Sequence, residues 1–383
     1  MKILQLGKFY PIVGGVEKVM YDVTTGISGR GVCCDMLCAT TREAYPGIVR
    51  LNAYGQVICV PTWLKLAATM IAPAMIFRLR KIQKEYNIIH IHHPDPMACL
   101  ALFLSRYKGK VVLHWHSDIL KQKGLLKIYL PLQRWLIKRA DVIVGTTPVY
   151  VETSPFLQKV QNKVTSIPIG VERVISDRAM VKEIRERYPE KKIIFSVGRL
   201  VEYKGYEYLI KAARYLGDNY IILIGGGGPL RNELQQLIDR TGVAEKVKLL
   251  GFVPADILPA YFEACDLFCL SSIWKTEAFA IVQIEAMSCG KPVVATRIEG
   301  SGVSWVNADS VSGINVMPQN AENLAAAIVQ ILSDETLYRR LAAGARQRYD
   351  TYFTKCTMID ECLTLYDNLL VADDKKEGGL KEN

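Results

Sequence analysis

The chain has 383 residues, half of them apolar, and a formal net charge of +10. That length is too great for one ordinary core and points to two domains. Its longest apolar run, Leu66 to Phe77, contains Pro73 and falls short of the roughly 20 residues a membrane-spanning helix needs, and its ten cysteines show no framework spacing and no C-x-x-C, which leaves reduced, buried thiols as the expectation.

Lys2 to Leu6 reads as a buried strand, and the start MKILQLGKF has no pattern of a secretory signal. A loop with Gly14 and Gly15 follows, then a helical pattern; paired glycines let a backbone approach a phosphate closely. Short strands are expected near Asp35 to Ala39 and Gln56 to Val60, and a helix from about Ala67 to Tyr86. Ile88 to Ile91, Val111 to Trp115, Asp141 to Thr146 and Val164 to Pro168 are further strands. Strands that alternate with helices make a parallel sheet, whose ligands bind beyond the carboxyl ends of the strands.

All five histidines, His90, His92, His93, His114 and His116, lie within 27 residues. His90 and His92, like His114 and His116, alternate along a strand and so share a face, while His93 points elsewhere. No acidic or cysteine ligand set accompanies them, so no metal site is assigned, and active-site histidines with packing partners are the main reading. His92, His93 and Asp118 are candidates for the acceptor side.

Charge is uneven. Residues 1–170 carry 22 Lys+Arg against 9 Asp+Glu, a balance of +13, and the remainder a balance of −3. The stretch Lys121 to Arg139 mixes cations with Leu, Ile, Tyr and Trp at helical spacing. Such a surface suits an anionic membrane, or an ordinary helix packed on the sheet with a basic outer face. Because the aromatics sit in helical apolar patterns, nucleic acid is not an expected partner.

The pattern changes near Gly170 to Pro189, where a domain boundary is set, and a second series of strands begins: Lys192 to Val197, Tyr220 to Ile224, Val247 to Leu250, Leu267 to Leu270, Pro292 to Thr296 and Gly313 to Val316. Arg199 and Lys204 flank the turn after the first, and the glycines Gly225 to Gly228 follow the second. In Ser271 to Thr296, Glu277 falls where a helix is expected to start and Glu285 two turns further on nearly the same face. One helix edge then offers an anion-binding end and two carboxylates, which suits a nucleotide sugar.

In PIVGGVE, WHSD, VGRLVEYKG, GGGGP, the paired glutamates, GKPVVAT and SGINV, taken in order, the chain resembles the retaining GT-B glycosyltransferases of family 4 over nearly its whole length. WHSD and EGSGVSWVN further resemble bacterial mannosyltransferases of lipid-linked polysaccharide and lipopolysaccharide synthesis. The resemblance implies an α/β fold of two Rossmann-like, doubly wound domains facing across a cleft. Residues 1–170 would bind the acceptor and 171–351 the nucleotide sugar, a helix over 352–371 would return to the first domain, and 372–383 would be a disordered tail. It implies that Arg199 and Lys204 bind the donor diphosphate and stabilise the leaving nucleoside diphosphate. Glu277 would hold donor-sugar hydroxyls, Glu285 the ribose, and the N–H groups near Phe279, Ala280 and Ile281 the phosphates. Gly14, Gly15 and Gly227 would lie against the donor, and His116 beside the reacting sugar. The family usually has glycine where Ala280 stands, so a methyl there would crowd the donor.

The expected activity is transfer of a hexose, best assigned as mannose from GDP-mannose, to a lipid-linked or glycan acceptor. It would proceed with retention and without metal or cofactor, at the inner face of the cytoplasmic membrane. Alternatives are a UDP-sugar or dTDP-rhamnose donor, or a two-domain nucleotide-sugar epimerase.

Overall fold

A computed structural model describes residues 1–12, 14–41, 46–66, 69–119 and 123–378. The chain divides into two compact units. Unit 1 is Met1–Gly170 together with Lys355–Asn383, and unit 2 is Val171–Thr354.

Unit 1 is built on an eight-stranded sheet. Its strands are β1 (Lys2–Tyr10), β2 (Cys33–Thr40), β3 (Gly47–Asn52), β4 (Gly55–Val60), β7 (Ile88–His93), β8 (Lys110–Trp115), β9 (Val142–Gly145) and β10 (Val164–Ser166). A separate hairpin pairs β5 (Leu64–Leu66) with β6 (Thr69–Ile71). The order across the sheet is β10-β9-β8-β7-β1-β2-β4-β3, all parallel except β3 against β4. Continuous apolar runs such as Ile3, Leu4 and Leu6 or Ile88 and Ile89 are buried because helices cover both faces of a parallel sheet. The edge strand β3 and the hairpin were not expected from the sequence. The helix expected over 67–86 begins only at Ala74, after Pro73, and runs to Ile82. Proline is favoured at a helix start because its fixed φ suits the first turn and its missing N–H is not needed there.

The last helix, Lys355–Gly378, belongs to unit 1 and packs on the helix Val16–Gly29. A Cβ at Gly26 would fall 1.7 Å from Ile359 Cδ1, so only glycine lets these two helices approach so closely. Helix continues through 372–378, where disorder was expected. Lys375, Lys376 and Glu377 are good helix formers, and the helix ends at Gly378. The remainder of that expected tail, 379–383, lies outside the described residues, as do Lys121 and Gln122 of the basic stretch.

Unit 2 holds a six-stranded, fully parallel sheet of β11 (Lys192–Val197), β12 (Tyr220–Gly225), β13 (Val247–Gly251), β14 (Leu267–Leu270), β15 (Val293–Thr296) and β16 (Gly313–Val316). Its order is β13-β12-β11-β14-β15-β16. Strand order therefore reverses beside β11 in unit 2 and beside β1 in unit 1, and such switch points are where a doubly wound sheet opens a crevice for ligand. All ten cysteines are free. Among the described residues no helix is long and apolar enough to cross a membrane.

Candidate active site

At the unit 2 switch point, the loops after β11 and β14 meet. Lys204 Nζ lies 2.5 Å from Glu277 Oε2, with both side chains about nine-tenths buried. Ser272 Oγ donates to the same carboxylate oxygen at 2.8 Å, and Ser301 Oγ donates to the Glu277 carbonyl. Ser271 Oγ donates to the Lys204 carbonyl at 2.9 Å, tying the two loops together. Burial alone lowers the Lys204 pKa, but the charge and hydrogen bond of Glu277 more than offset it, so the net shift is upward and the ammonium is held. Arg199 is exposed at the mouth of the same turn.

The glycine loop divides by role. A Cβ at Gly226 would sit 1.9 Å from the Gly198 carbonyl oxygen, and one at Gly228 2.5 Å from that of Leu200, so these glycines let two loops pack backbone to backbone. A Cβ at Gly227 would meet nothing within 4 Å, which leaves that peptide facing open space.

The sequence reading misplaces one helix start. The helix spans Ile281–Ser288, so Glu277 lies in the preceding loop and only Glu285 is on the helix. The two carboxylates therefore do not share a helix face. The cause is Ala280, which adopts φ 64° and ψ 75°, a left-handed conformation that a right-handed helix cannot run through. The same angle gives glycine a backbone reason to be favoured here, apart from any crowding of a ligand by the methyl. The helix begins without a side-chain cap, so its first N–H groups are not met by a local side chain. The Phe279 ring packs edge-on to Phe353, 6.0 Å between centroids, and its carbonyl accepts from Gln283 Nε2 at 3.2 Å. Glu285 is partly exposed on the second turn.

In unit 1, Gly14 and Gly15 have φ of 146° and 65° and lead into the helix Val16–Gly29, which also has no side-chain cap. A Cβ at Gly14 would meet nothing within 4 Å. Across the switch point, Asp95 caps the helix Pro96–Ser105 through the Ala98 N–H at 3.0 Å and also accepts from the Lys8 N–H at 2.5 Å.

The histidines are interior. β7 and β8 pair in parallel with His92 opposite His114, so His90, His92, His114 and His116 stack on one face. The tightest pair, His114 and His116, has ring centroids 4.0 Å apart. His93 points to the other face and stacks on Trp115, at 3.8 Å and 5° between planes. His90, His92 and His114 each bring a ring nitrogen within 4.8 Å of the others. Their rings are nearly parallel, with planes 14° to 24° apart. Lone pairs lie in the ring planes, so these run side by side and do not converge on one ion.

Burial, and then the neighbouring imidazoles and Lys8, hold His116 well below the ordinary imidazole pKa. His114 is brought down to about 3 by burial. The ladder is neutral at physiological pH. His92 is fully buried, with Nδ1 2.9 Å from His116 Nε2, so it touches His116 rather than facing an acceptor from solvent. Asp118 is also turned inward. Among the described residues its carboxylate accepts from Trp115 Nε1 at 2.9 Å and Ser154 Oγ at 2.7 Å, and so it braces the Trp115 on which His93 lies.

Gln5, Tyr366, Ser272 and Ser301 were missed in the sequence. A signal existed for Gln5, the one polar side chain inside the apolar run ILQL. Tyr366 lies 276 residues from its partner His90, and nothing local announces the contact.

Two family models match the chain. The one described as glycosyl transferases group 1 matches residues 177–348, and glycosyltransferase family 4 matches 13–173. An O-antigen chain mannosyltransferase C of Escherichia coli is 31% identical over 97% of this chain and 99% of its own. A D-rhamnosyltransferase of Pseudomonas aeruginosa is 27% identical over 92% of each chain. Among solved structures, Anabaena HepE in complex with UDP superposes with a TM-score of 0.76, at 22% identity, covering 96% of this chain and all of that one.

Proposed function

We propose, for a chain that belongs to the group 1 glycosyltransferases and has the GT-B fold of two Rossmann-like domains, that it moves a hexose from a nucleoside-diphosphate sugar to a lipid-linked or polysaccharide acceptor with retention of configuration. Mannose from GDP-mannose is the first assignment, supported by the mannosyltransferase relative. The D-rhamnosyltransferase relative supports a second donor sugar.

The observation that carries the reading is the buried Lys204–Glu277 pair at the unit 2 switch point. An ion pair taken out of water is costly unless its geometry and further hydrogen bonds are good. Here Ser272 bonds the carboxylate, Ser271 and Ser301 fix the backbone of the two partners, and the exposed Arg199 lies on the same turn. A donor diphosphate adds negative charge that Arg199 and Lys204 meet. Glu277, already held by Ser272, then accepts from donor-sugar hydroxyls. The open peptide at Gly227 and the uncapped start of Ile281–Ser288 give N–H donors for phosphate oxygens, with Glu285 one turn on for the ribose. From unit 1, Gly14 and Gly15 are assigned to the diphosphate and His116 to the reacting sugar.

Chemically, the anomeric C–O bond breaks as the nucleoside diphosphate leaves, and the cations stabilise the charge that develops on its bridging oxygen. No carboxylate is identified as a nucleophile on the far face of the sugar. Attack from the leaving-group side, with the departing phosphate oxygen taking the acceptor's proton, needs only positioning and charge stabilisation, and it retains configuration.

The acceptor and the membrane are assigned to unit 1. Ile128, Trp63 and Phe77 are 80%, 72% and 69% exposed in its basic half. Exposed apolar and cationic groups together favour peripheral attachment to anionic lipid. Vesicles with anionic lipid should retain the protein at low salt and release it at high salt; equal retention on neutral vesicles would remove this part.

The central test is thermal protection by GDP-mannose, UDP-sugars and dTDP-rhamnose. A donor that binds the native state raises the melting temperature by mass action. No shift with any of them overturns the donor site, and an epimerised free sugar nucleotide with no transfer overturns the transferase assignment to an acceptor.

A further inference from the structure

One hydrogen-bonded line runs through the interior of unit 1, from the C-terminal helix to His116. Tyr366, on the helix Lys355–Gly378, has its hydroxyl 2.5 Å from His90 Nδ1 and accepts from Gln5 Nε2 at 3.2 Å. Gln5 Oε1 lies 2.8 Å from His92 Nε2, and His92 Nδ1 lies 2.9 Å from His116 Nε2. Gln5, His90, His92 and Tyr366 are fully buried, so no solvent competes for these bonds.

With Gln5 Nε2 toward Tyr366 and Oε1 toward His92, proton counting along the line leaves one arrangement. A carbonyl oxygen only accepts, so Gln5 Oε1 requires the proton on His92 Nε2. A neutral imidazole carries one ring proton, so His92 Nδ1 is then a lone pair. It bonds to His116 Nε2 only if that nitrogen carries its own proton. His116 Nδ1 is left with its lone pair, buried and without a partner among the described residues, a position that a bound hydroxyl would satisfy. Burial first, then the neighbouring imidazoles and Lys8, disfavour a second proton on His92 and on His116.

We propose that Gln5 and His92 are positioning residues that hold His116 as its Nε2–H tautomer, so that it meets a substrate hydroxyl through the lone pair of Nδ1, as a hydrogen-bond acceptor. This rests on the assignment of His116 to the reacting sugar. It also gives the C-terminal helix a part in the site, through Tyr366. The amide of Gln5 is the element that sets polarity: turned over, it reverses every bond in the line and gives His116 an Nδ1–H.

The test is two-bond 1H–15N correlation on the full chain labelled at histidine. His92 and His116 should both show the Nε2–H pattern, unchanged from pH 8 down to 5.5. An Nδ1–H or averaged pattern for His116 overturns the proposal. Two variants add a kinetic readout. His92→Asn keeps an acceptor oxygen near the position of Nδ1, and His92→Leu does not. The leucine variant should average the His116 tautomers and lower kcat about 10- to 100-fold, as loss of an orienting partner does for other histidines, while the asparagine variant recovers most of the rate. Equal rates in both variants overturn the proposal. If His92→Leu fails to fold, Tyr366→Phe and Gln5→Leu interrupt the line elsewhere, and an unchanged His116 pattern in both is equally fatal. His116→Ala separates this from the underlying reading. Full turnover in that variant overturns the assignment of His116 to the reaction, whereas a mixed tautomer in the native protein overturns the lock alone.

Discussion

Both sheets reverse strand order beside their first strand, yet the polar groups at the two switch points are of opposite kinds. Unit 1 buries a ladder of neutral imidazoles, joined through Gln5 and Tyr366. Unit 2 buries a charged pair, Lys204 and Glu277, and its residues include no histidine. A neutral ring can be fixed as one tautomer to give or accept one hydrogen bond. A buried charge pair holds field strength ready for a ligand that brings net charge of its own. The contrast separates a half that buries charge from a half that buries neutral, hydrogen-bonded rings.

The largest effect that tests this division is at Glu277. Glu277→Ala should abolish transfer, and it leaves the Lys204 ammonium buried without its partner, which destabilises by about 3–5 kcal/mol. Glu277→Gln keeps the shape and the hydrogen bonds, so that variant should fold yet lose about 10²- to 10³-fold in kcat, the scale of one preorganised polar group at a reacting centre. Wild-type turnover in folded Glu277→Gln would take the charge pair out of the mechanism.

The two units should also part company along the pH axis. The folded imidazoles of unit 1 are depressed below the ordinary value of about 6.5, with His114 at about 3. The unfolded chain therefore binds more protons between these values. Stability from keeping the rings neutral is full above pH ~6.5 and falls as pH drops, by about 1.4 kcal/mol per pH unit for each ring that titrates. Lys204 has the opposite sign. Its folded pKa is raised, so its contribution is full below the ordinary lysine value of about 10.4 and is lost as pH rises through the folded value. Hydrogen exchange, corrected for intrinsic rate, should show unit 1 peptides losing protection before unit 2 peptides on acidification. The same order on both the acid and the alkaline side would break the comparison.

How far the sequence could be read follows the same lines. β11 and β14 were legible to the residue, because a strand buried on both faces is an apolar run with sharp ends; β16 was placed as well, although it is an edge strand with only Gly313 buried. The sharing of one face by His90 with His92, and by His114 with His116, followed from strand alternation. The partners were not legible. Gln5 meets Tyr366 across 361 residues, and only the return of the last helix to unit 1 brings them together. Ser272 and Ser301 hide among many ordinary serines until the loops close on Glu277. The helix start was misread because helical periodicity continues back through Glu277, while a single backbone angle at Ala280 breaks it.

The glycine loop offers a finer test within unit 2. Gly226→Ala drives a methyl into the Gly198 carbonyl and should cost the fold. Gly227→Ala adds a methyl to open space and should leave the melting temperature alone, while raising the donor KM about tenfold (~1.4 kcal/mol) if phosphate sits against that peptide. An unchanged KM would move the diphosphate away from Gly227.

The smallest effect is at Ala280. An L-residue in the left-handed region carries a cost of roughly 1–2 kcal/mol, part of which glycine returns through the greater freedom it gives the unfolded chain. Ala280→Gly should therefore raise the stability of unit 2 by about 1 kcal/mol, read as a higher denaturant midpoint with unchanged slope. Donor affinity measured on the same protein then separates two reasons for glycine at this position. A stability gain with unaltered affinity assigns the position to the backbone turn that precedes Ile281–Ser288. A gain in affinity that exceeds the gain in stability assigns it to room for the donor, and would mean that the methyl of Ala280 weakens donor binding in this chain.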